Sequence, residues 1–262
     1  FDPNATTIPL HEATKAFTNM SYVDHTQFSD GYKNPIFKLN HGVDGDYSVE
    51  SLGILDIKTL QFLYGANTKP TAGDDTYIFR ANNASTKSVY DSGGTDTFDL
   101  SNQQYGVNVS LEEASFSSIG LVYTDGPQKV LFQDNIGIAF DTVIENAIGT
   151  KYGDLISGND VNNVLYGKDG DDRLHGIGGN DMIVGGKGAD YMHGGTGNDA
   201  IWAGAGDTSG DYVEGGDGND TIGGGAGNDE LFGDQRRGYG TGDDVIYGGA
   251  GDDTISGSAG ND

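Results

Sequence analysis

Residues 194–202 read GGTGNDAIW, and the same frame returns as GGKGADYMH from 185, GGDGNDTIG from 215, GGAGNDELF from 224 and GGAGDDTIS from 248. From Gly149 onward the chain parses into units of glycine, glycine, any residue, glycine, any residue, aspartate, any residue, aliphatic, any residue. Two units are longer: the one from Ala203 carries three extra residues and the one from Gly233 carries six. The sixth position then reads Asp154, Asn163, Asp172, Asp181, Asp190, Asp199, Asp211, Asp220, Asp229, Asp244, Asp253 and Asp262. The eighth reads Ile156, Leu165, Leu174, Ile183, Met192, Ile201, Val213, Ile222, Leu231, Ile246 and Ile255. The first two units, GTKYGD and GNDVNN, lack the glycine pattern.

A fixed aliphatic in every unit argues against a disordered acidic tail, because disorder needs no register. Yet one aliphatic per unit cannot bury enough surface to offset the entropy of ordering the chain. The missing stabilisation is expected from the other positions. Glycines let the first six residues curl into a turn whose carbonyls face inward, and the aspartate adds a carboxylate. Hard oxygen donors of this kind suit Ca²⁺, which takes about 6–8 of them at about 2.3–2.6 Å. The last three residues of each unit form a short strand with the aliphatic facing in. Alternate units fall on opposite sides of the coil, so an ion is expected between one turn and the turn 18 residues on. At about tenfold above a dissociation constant of ~10⁻⁴ M, each ion adds ~1.4 kcal/mol.

The bulk composition agrees. Glycine supplies 45 of the 262 residues, against a usual share of about 7%. The net charge is −26, from 40 acids against 14 Lys plus Arg, which argues against nucleic acid as a partner. Cysteine is absent, so no disulfide staples the fold, and no apolar run is long enough for a membrane-spanning helix.

Residues 71–148 read as a small β-sandwich-like or roll-like extension. DTFDLS places Phe98 and Leu100 on one face, GVNVSL places Val107, Val109 and Leu111 on one face, and Tyr77 and Phe79 alternate likewise. Upstream, DIKTLQFLYGAN has helical spacing at Ile57, Leu60, Leu63 and Tyr64, with Gly65 as its stop. The fold expected is therefore all-β: a parallel β-roll over 149–262, the extension over 71–148, and a short segment with one helix over 1–70.

The stretches LQFLYGAN, VYDSGGTDTFDLS, SLEEASFSSIG, VIENAIG and ISGNDVNNVLYG resemble the C-terminal half of serralysin-type metalloproteases. These are secreted zinc enzymes of the metzincin group that carry an RTX calcium roll. The resemblance implies calcium ligands in the turns: Gly170, Asp172, Gly179, Asp181, Gly186, Gly188, Asp190, Gly195, Gly197, Asp199, Asp211, Gly216, Gly218, Asp220, Gly225, Gly227, Asp229, Asp244, Gly249, Gly251 and Asp253. It also implies calcium outside the regular repeats, at Thr71, Gly73 and Asp75, at Asp91, Gly93, Gly94 and Asp96, and at Val143 with Glu145. FTNMSYVDH resembles the family's Met-turn, with Met20 under the zinc and Tyr22 beside it.

The zinc motif itself, H-E-x-x-H, is not in the sequence. HEATK at 11–15 begins like it, but Lys15 stands where a ligand histidine belongs. The expectation is a fragment that follows its catalytic helix, or a relative that has lost it, without peptidase activity of its own; zinc belongs only to an intact parent. The family resemblance implies type I export, unfolded, from a calcium-poor cytosol and folding outside the cell. A structural or adhesive roll of the surface-layer kind is the alternative. His175 and His193 are expected one rung apart as two solvated imidazoles.

The outward positions sort into two lists. Ser157, Arg173, His175, Tyr191, His193, Tyr212, Glu214 and Glu230 are mostly polar. Val164, Tyr166, Met182, Val184, Ala200, Trp202, Val245 and Tyr247 are mostly apolar. The apolar row, represented by Val164, Tyr166, Met182, Val184 and Trp202, is expected to be covered by the upstream segment, a second copy or a partner.

Overall fold

A computed structural model describes residues 73–262, apart from 80, 82–86, 120, 124–128, 132–134, 205, 207 and 236–239. The expected helix, Met20, Tyr22 and Thr71 lie outside the described residues. Every regular element among the described residues is a strand, and no helix there is long and apolar enough to cross a membrane.

The repeats coil into two parallel sheets. In spatial order, the first contains Thr76–Ile78, Thr97–Asp99, Asn146–Ile148, Val164–Asp169, Met182–Lys187, Ala200–Gly204, Thr221–Ala226 and Val245–Ala250. The second contains Asn108–Ser110, Leu155–Asn159, Arg173–Gly178, Tyr191–Thr196, Tyr212–Asp217, Glu230–Phe232 and Thr254–Ser256. Successive units alternate between them, as the period requires. Aliphatics pair in register, Leu165 with Ile183 and Ile183 with Ile201 on one side, Leu174 with Met192 and Met192 with Val213 on the other. From Ile156 through Leu231 the eighth-position side chains are fully buried. Ile255 is 49% exposed on the outermost strand of its sheet.

The extension and the repeats share sheets. Phe98 pairs with Ala147 and Ala147 with Leu165, while Val109 pairs with Ile156, so the same interior row runs through both regions. Phe98, Leu100, Val107, Val109 and Leu111 are buried in one core with the repeat aliphatics. Phe79 and Tyr77 pack edge-on against Phe98, at 5.2 and 5.9 Å between ring centroids. A three-stranded sheet of Lys87–Val89, Ile136–Ile138 and Phe116–Ser117 adds Val89, Ile136 and Ile138 to that core. The antiparallel pair Leu121–Tyr123 and Lys129–Leu131 stands apart from the roll sheets.

The outward lists sort by sheet as expected. Val164, Met182 and Ala200 stand in register on the first sheet, as do Tyr166, Val184 and Trp202. Met182 is 39% and Trp202 42% exposed, and Val164, Tyr166 and Val184 are half-buried. Trp202 lies over Gly223, where an added methyl would meet its ring at 2.4 Å. On the second sheet Tyr191 stacks on Tyr212 at 4.8 Å. His175 and His193 are one rung apart with ring centroids 4.8 Å apart. His175 is exposed as expected, but His193 is not a solvated imidazole: it keeps 18% of its side chain exposed and reaches Glu214 at 3.7 Å, and burial lowers the pKa of both.

Candidate metal centres

The turns line the two edges of the roll, and each turn aspartate is placed by the turn before it. The backbone N–H of Asp154 donates to Asp172 Oδ1 at 2.7 Å, Asp172 to Asp190 at 2.9 Å, Asp190 to Asp211 at 2.9 Å, Asp211 to Asp229 at 2.9 Å and Asp229 to Asp253 at 3.1 Å. On the other edge Asn163 donates to Asp181 at 2.7 Å, and the series continues through Asp199, Asp220, Asp244 and Asp262 at 2.8–3.0 Å. The step widens from 18 to 21 residues across the unit from Ala203 and to 24 across the unit from Gly233. The ladder thus keeps its register across both longer units.

One carboxylate oxygen is used in this way and the other turns inward. The Oδ2 atoms of Asp172, Asp181, Asp199, Asp220 and Asp244 are buried with no hydrogen-bond donor. Each faces the glycine that opens its unit: a methyl on Gly194 would lie 2.2 Å from Asp199 Oδ2 and 2.5 Å from the Gly215 carbonyl. A side chain there would fill the space on which the oxygens converge. Glycines two and four of a unit pack against carbonyls one rung back. A methyl on Gly188, at φ +122°, would lie 2.1 Å from the Gly170 oxygen, and one on Gly197, at φ +124°, 1.8 Å from the Gly179 oxygen. Only glycine tolerates both that φ and that approach.

Burying a carboxylate without a counter-charge is costly. Burial pushes Asp172 up to about 8, Asp181 and Asp220 to about 7 and Asp199 to about 6, although each accepts a backbone N–H that acts in the opposite direction. Inward-facing carboxylate oxygens, neighbouring carbonyls and no nitrogen or sulfur donors fit a hard cation such as Ca²⁺.

The first two units are closed differently. Asp154 Oδ2 accepts the Thr150 N–H at 2.6 Å, and Asn163 Oδ1 accepts the Asn159 N–H at 2.8 Å. The amide of Asn163 donates to the Glu145 carbonyl at 2.8 Å. Here hydrogen bonds do the closing.

Upstream, Asp75, Asp91 and Asp96 bring one carboxylate oxygen each to within 4.8 Å of one another. The structure therefore unites acidic members of two expected ligand sets. Asp75 N–H donates to Asp96 Oδ1 at 2.8 Å, and Asp96 N–H to Glu145 Oε2 at 2.7 Å, which repeats the ladder of the turns. Asp96 Oδ2 is buried without a donor, and burial lifts its carboxyl to about 6. Tyr77 donates its hydroxyl to Asp91 Oδ2 at 2.5 Å. Gly93 and Gly94 both take positive φ, and a methyl on Gly94 would strike the Gly73 carbonyl at 2.3 Å. Val143 is exposed.

Sequence reasoning missed the fifth position of the turn. Asn162, Asn180, Asn198 and Asn219 form an outer ladder in which each Oδ1 accepts the backbone N–H of the fifth residue one rung on, at 2.7–2.8 Å. The recurrence of Asn or Asp before the aspartate was its signal. Asp74 serves likewise for Thr95, at 2.9 Å.

The RTX calcium-binding nonapeptide repeat family matches residues 148–183, 175–209, 206–235 and 240–262. This part of the chain is an RTX calcium-binding β-roll. Over its C-terminal part the RTX chain is homologous to serralysins. It is 38% identical over 166 residues to serralysin of Proteus mirabilis, covering 59% of this chain and 29% of the relative. It is 37% identical over 164 residues to the metallopeptidase AprA of Pseudomonas marginalis, covering 58% and 31%. The RTX chain thus spans about three-tenths of the length of these relatives.

Proposed function

We propose that this chain is the calcium-dependent folding and stabilising module of a serralysin-like zinc metalloendopeptidase, exported unfolded and folded by extracellular calcium. The observation that carries the reading is the set of inward carboxylate oxygens of Asp172, Asp181, Asp199, Asp220 and Asp244, buried with no hydrogen-bond donor. Where calcium is scarce, these dehydrated charges oppose closure of the coil. Where it is abundant, each turn gains a counter-charge, and binding free energy becomes folding free energy. The glycines and aspartates named from the sequence are the ligands in this reading, with the Asp75, Asp91 and Asp96 cluster as a further site.

The peptidase chemistry is that of the named relatives. Met20 and Tyr22 are read as the Met-turn beneath a zinc that only an intact parent would hold. The apolar outer row of Val164, Tyr166, Met182, Val184 and Trp202 is read as a face against which a partner or a second copy packs. The test is size-exclusion chromatography of the purified chain. Calcium should convert an expanded species into a compact one, and an elution volume indifferent to calcium would contradict the proposal. In the calcium form, Trp202→Ser should abolish any concentration-dependent association.

A further inference from the structure

The unit that begins at Gly233 carries its six extra residues before Gly240, which takes the positive φ of a second-position glycine at +130°. Its first inserted residue is Asp234, which does not point into solvent. Asp234 is 0% exposed. Its Oδ2 accepts the Ala259 N–H at 2.8 Å, from the turn one rung on. Its Oδ1 is buried with no hydrogen-bond donor. A methyl on Gly240 would lie 2.7 Å from that Oδ1 and 2.9 Å from the Gly216 carbonyl, so the two oxygens converge on one glycine. Asp244 and Asp220 add their own donor-less Oδ2 atoms to the same edge. Burial raises the Asp220 carboxyl, and among the charges that raise it further are those of Asp244 and Asp234.

We infer that Asp234 is an additional calcium ligand: it brings a second buried side-chain carboxylate, beside that of Asp244, to the turn at 240–244. A regular turn supplies one inward carboxylate and otherwise neutral carbonyls. Affinity of oxygen sites for Ca²⁺ is tuned by ligand charge count, so this rung fills at lower calcium than its neighbours. The long unit is then a functional insertion, and the roll has a preferred starting point for closure near its C-terminal turns. This inference rests on the calcium reading above.

Equilibrium dialysis of the full chain against graded free Ca²⁺ tests it, comparing wild type with Asp234→Asn, Asp234→Ala and the exposed control Asp252→Asn. Asn keeps an acceptor for the Ala259 N–H while removing the charge. The tightest bound ion should be lost from both Asp234 variants, reappearing only at about tenfold higher calcium, while Asp252→Asn follows wild type. Circular dichroism at saturating calcium establishes that each variant folds. If Asp234→Asn binds as wild type and only Asp234→Ala is impaired, Asp234 is a hydrogen-bonding cap and the inference is overturned. Failure of wild type itself to bind calcium would instead refute the reading on which it rests.

Discussion

Asp181 and Asp199 stand one rung apart on the same edge of the roll, and the backbone N–H of Asp181 donates to Asp199 Oδ1 at 2.8 Å while the Oδ2 of each is buried without a donor. One oxygen fixes the position of the carboxylate and the other is presented to the turn. Asp199→Asn should therefore raise the calcium midpoint of folding by about tenfold. Lys187→Ala should leave it unchanged, because the Lys187–Asp169 pair at 3.0 Å is solvent-exposed and worth little. Calcium titrations followed by circular dichroism check this; equal midpoints would contradict the assignment.

Calcium and protons should compete. Asp172, Asp181, Asp220 and Asp199 are raised to about 8, 7, 7 and 6 in the folded chain, against about 3.9 for an unfolded aspartate. Between those values the folded form holds protons that the unfolded chain has released, so stability of the calcium-free roll falls as pH rises through this window. Protons must leave before calcium binds, so the calcium midpoint should move to higher concentration between pH 8 and pH 6. A midpoint independent of pH would count against buried carboxylates as ligands.

The opening glycine of a unit is expected to be irreplaceable. Gly194→Ala would place a methyl 2.2 Å from Asp199 Oδ2 and 2.5 Å from the Gly215 carbonyl, whereas a methyl on Gly73 meets nothing within 4 Å. Gly194→Ala should lower the melting temperature in saturating calcium and weaken calcium dependence; Gly73→Ala, which keeps the backbone carbonyl that is read as the ligand there, should do neither. Differential scanning fluorimetry distinguishes them.

The interior row gives a fourth kind of test. Ile201 is fully buried and Ile255 is 49% exposed. Ile201→Ala should cost about 2–5 kcal/mol, in the range for buried aliphatics, and Ile255→Ala less than about 1 kcal/mol. Urea denaturation in constant calcium measures both.

The repeat register, the interior aliphatics, the alternation between two sheets and the inward aspartates were legible because each follows from a period. Thr150 closing on Asp154, Asn159 closing on Asn163 and the outer Asn ladder were not. They depend on which backbone N–H lies beside which side chain after coiling, and the ladder partners are 18 to 24 residues apart. The continuity of the extension with the roll was one of two readings the sequence left open. Phe98 follows only a shortened frame, Gly93, Gly94 and Asp96, and Ala147 carries the interior row with no glycine before it. Asp234 was not singled out in the sequence, because its partners Gly240 and Ala259 both lie beyond an insertion of irregular sequence.

Peptidase activity is expected to be absent from the purified chain with added zinc, since its only H-E pair, at residues 11 and 12, is followed by Lys15 where a ligand histidine is needed. Casein cleavage sensitive to a zinc chelator would overturn this.

The most direct measurement is far-ultraviolet circular dichroism of the 262-residue chain, first in excess chelator and then through a calcium titration. The account predicts a disordered spectrum in chelator and a cooperative gain of β signal as calcium is added. A full β spectrum in chelator, unchanged by calcium, would contradict it.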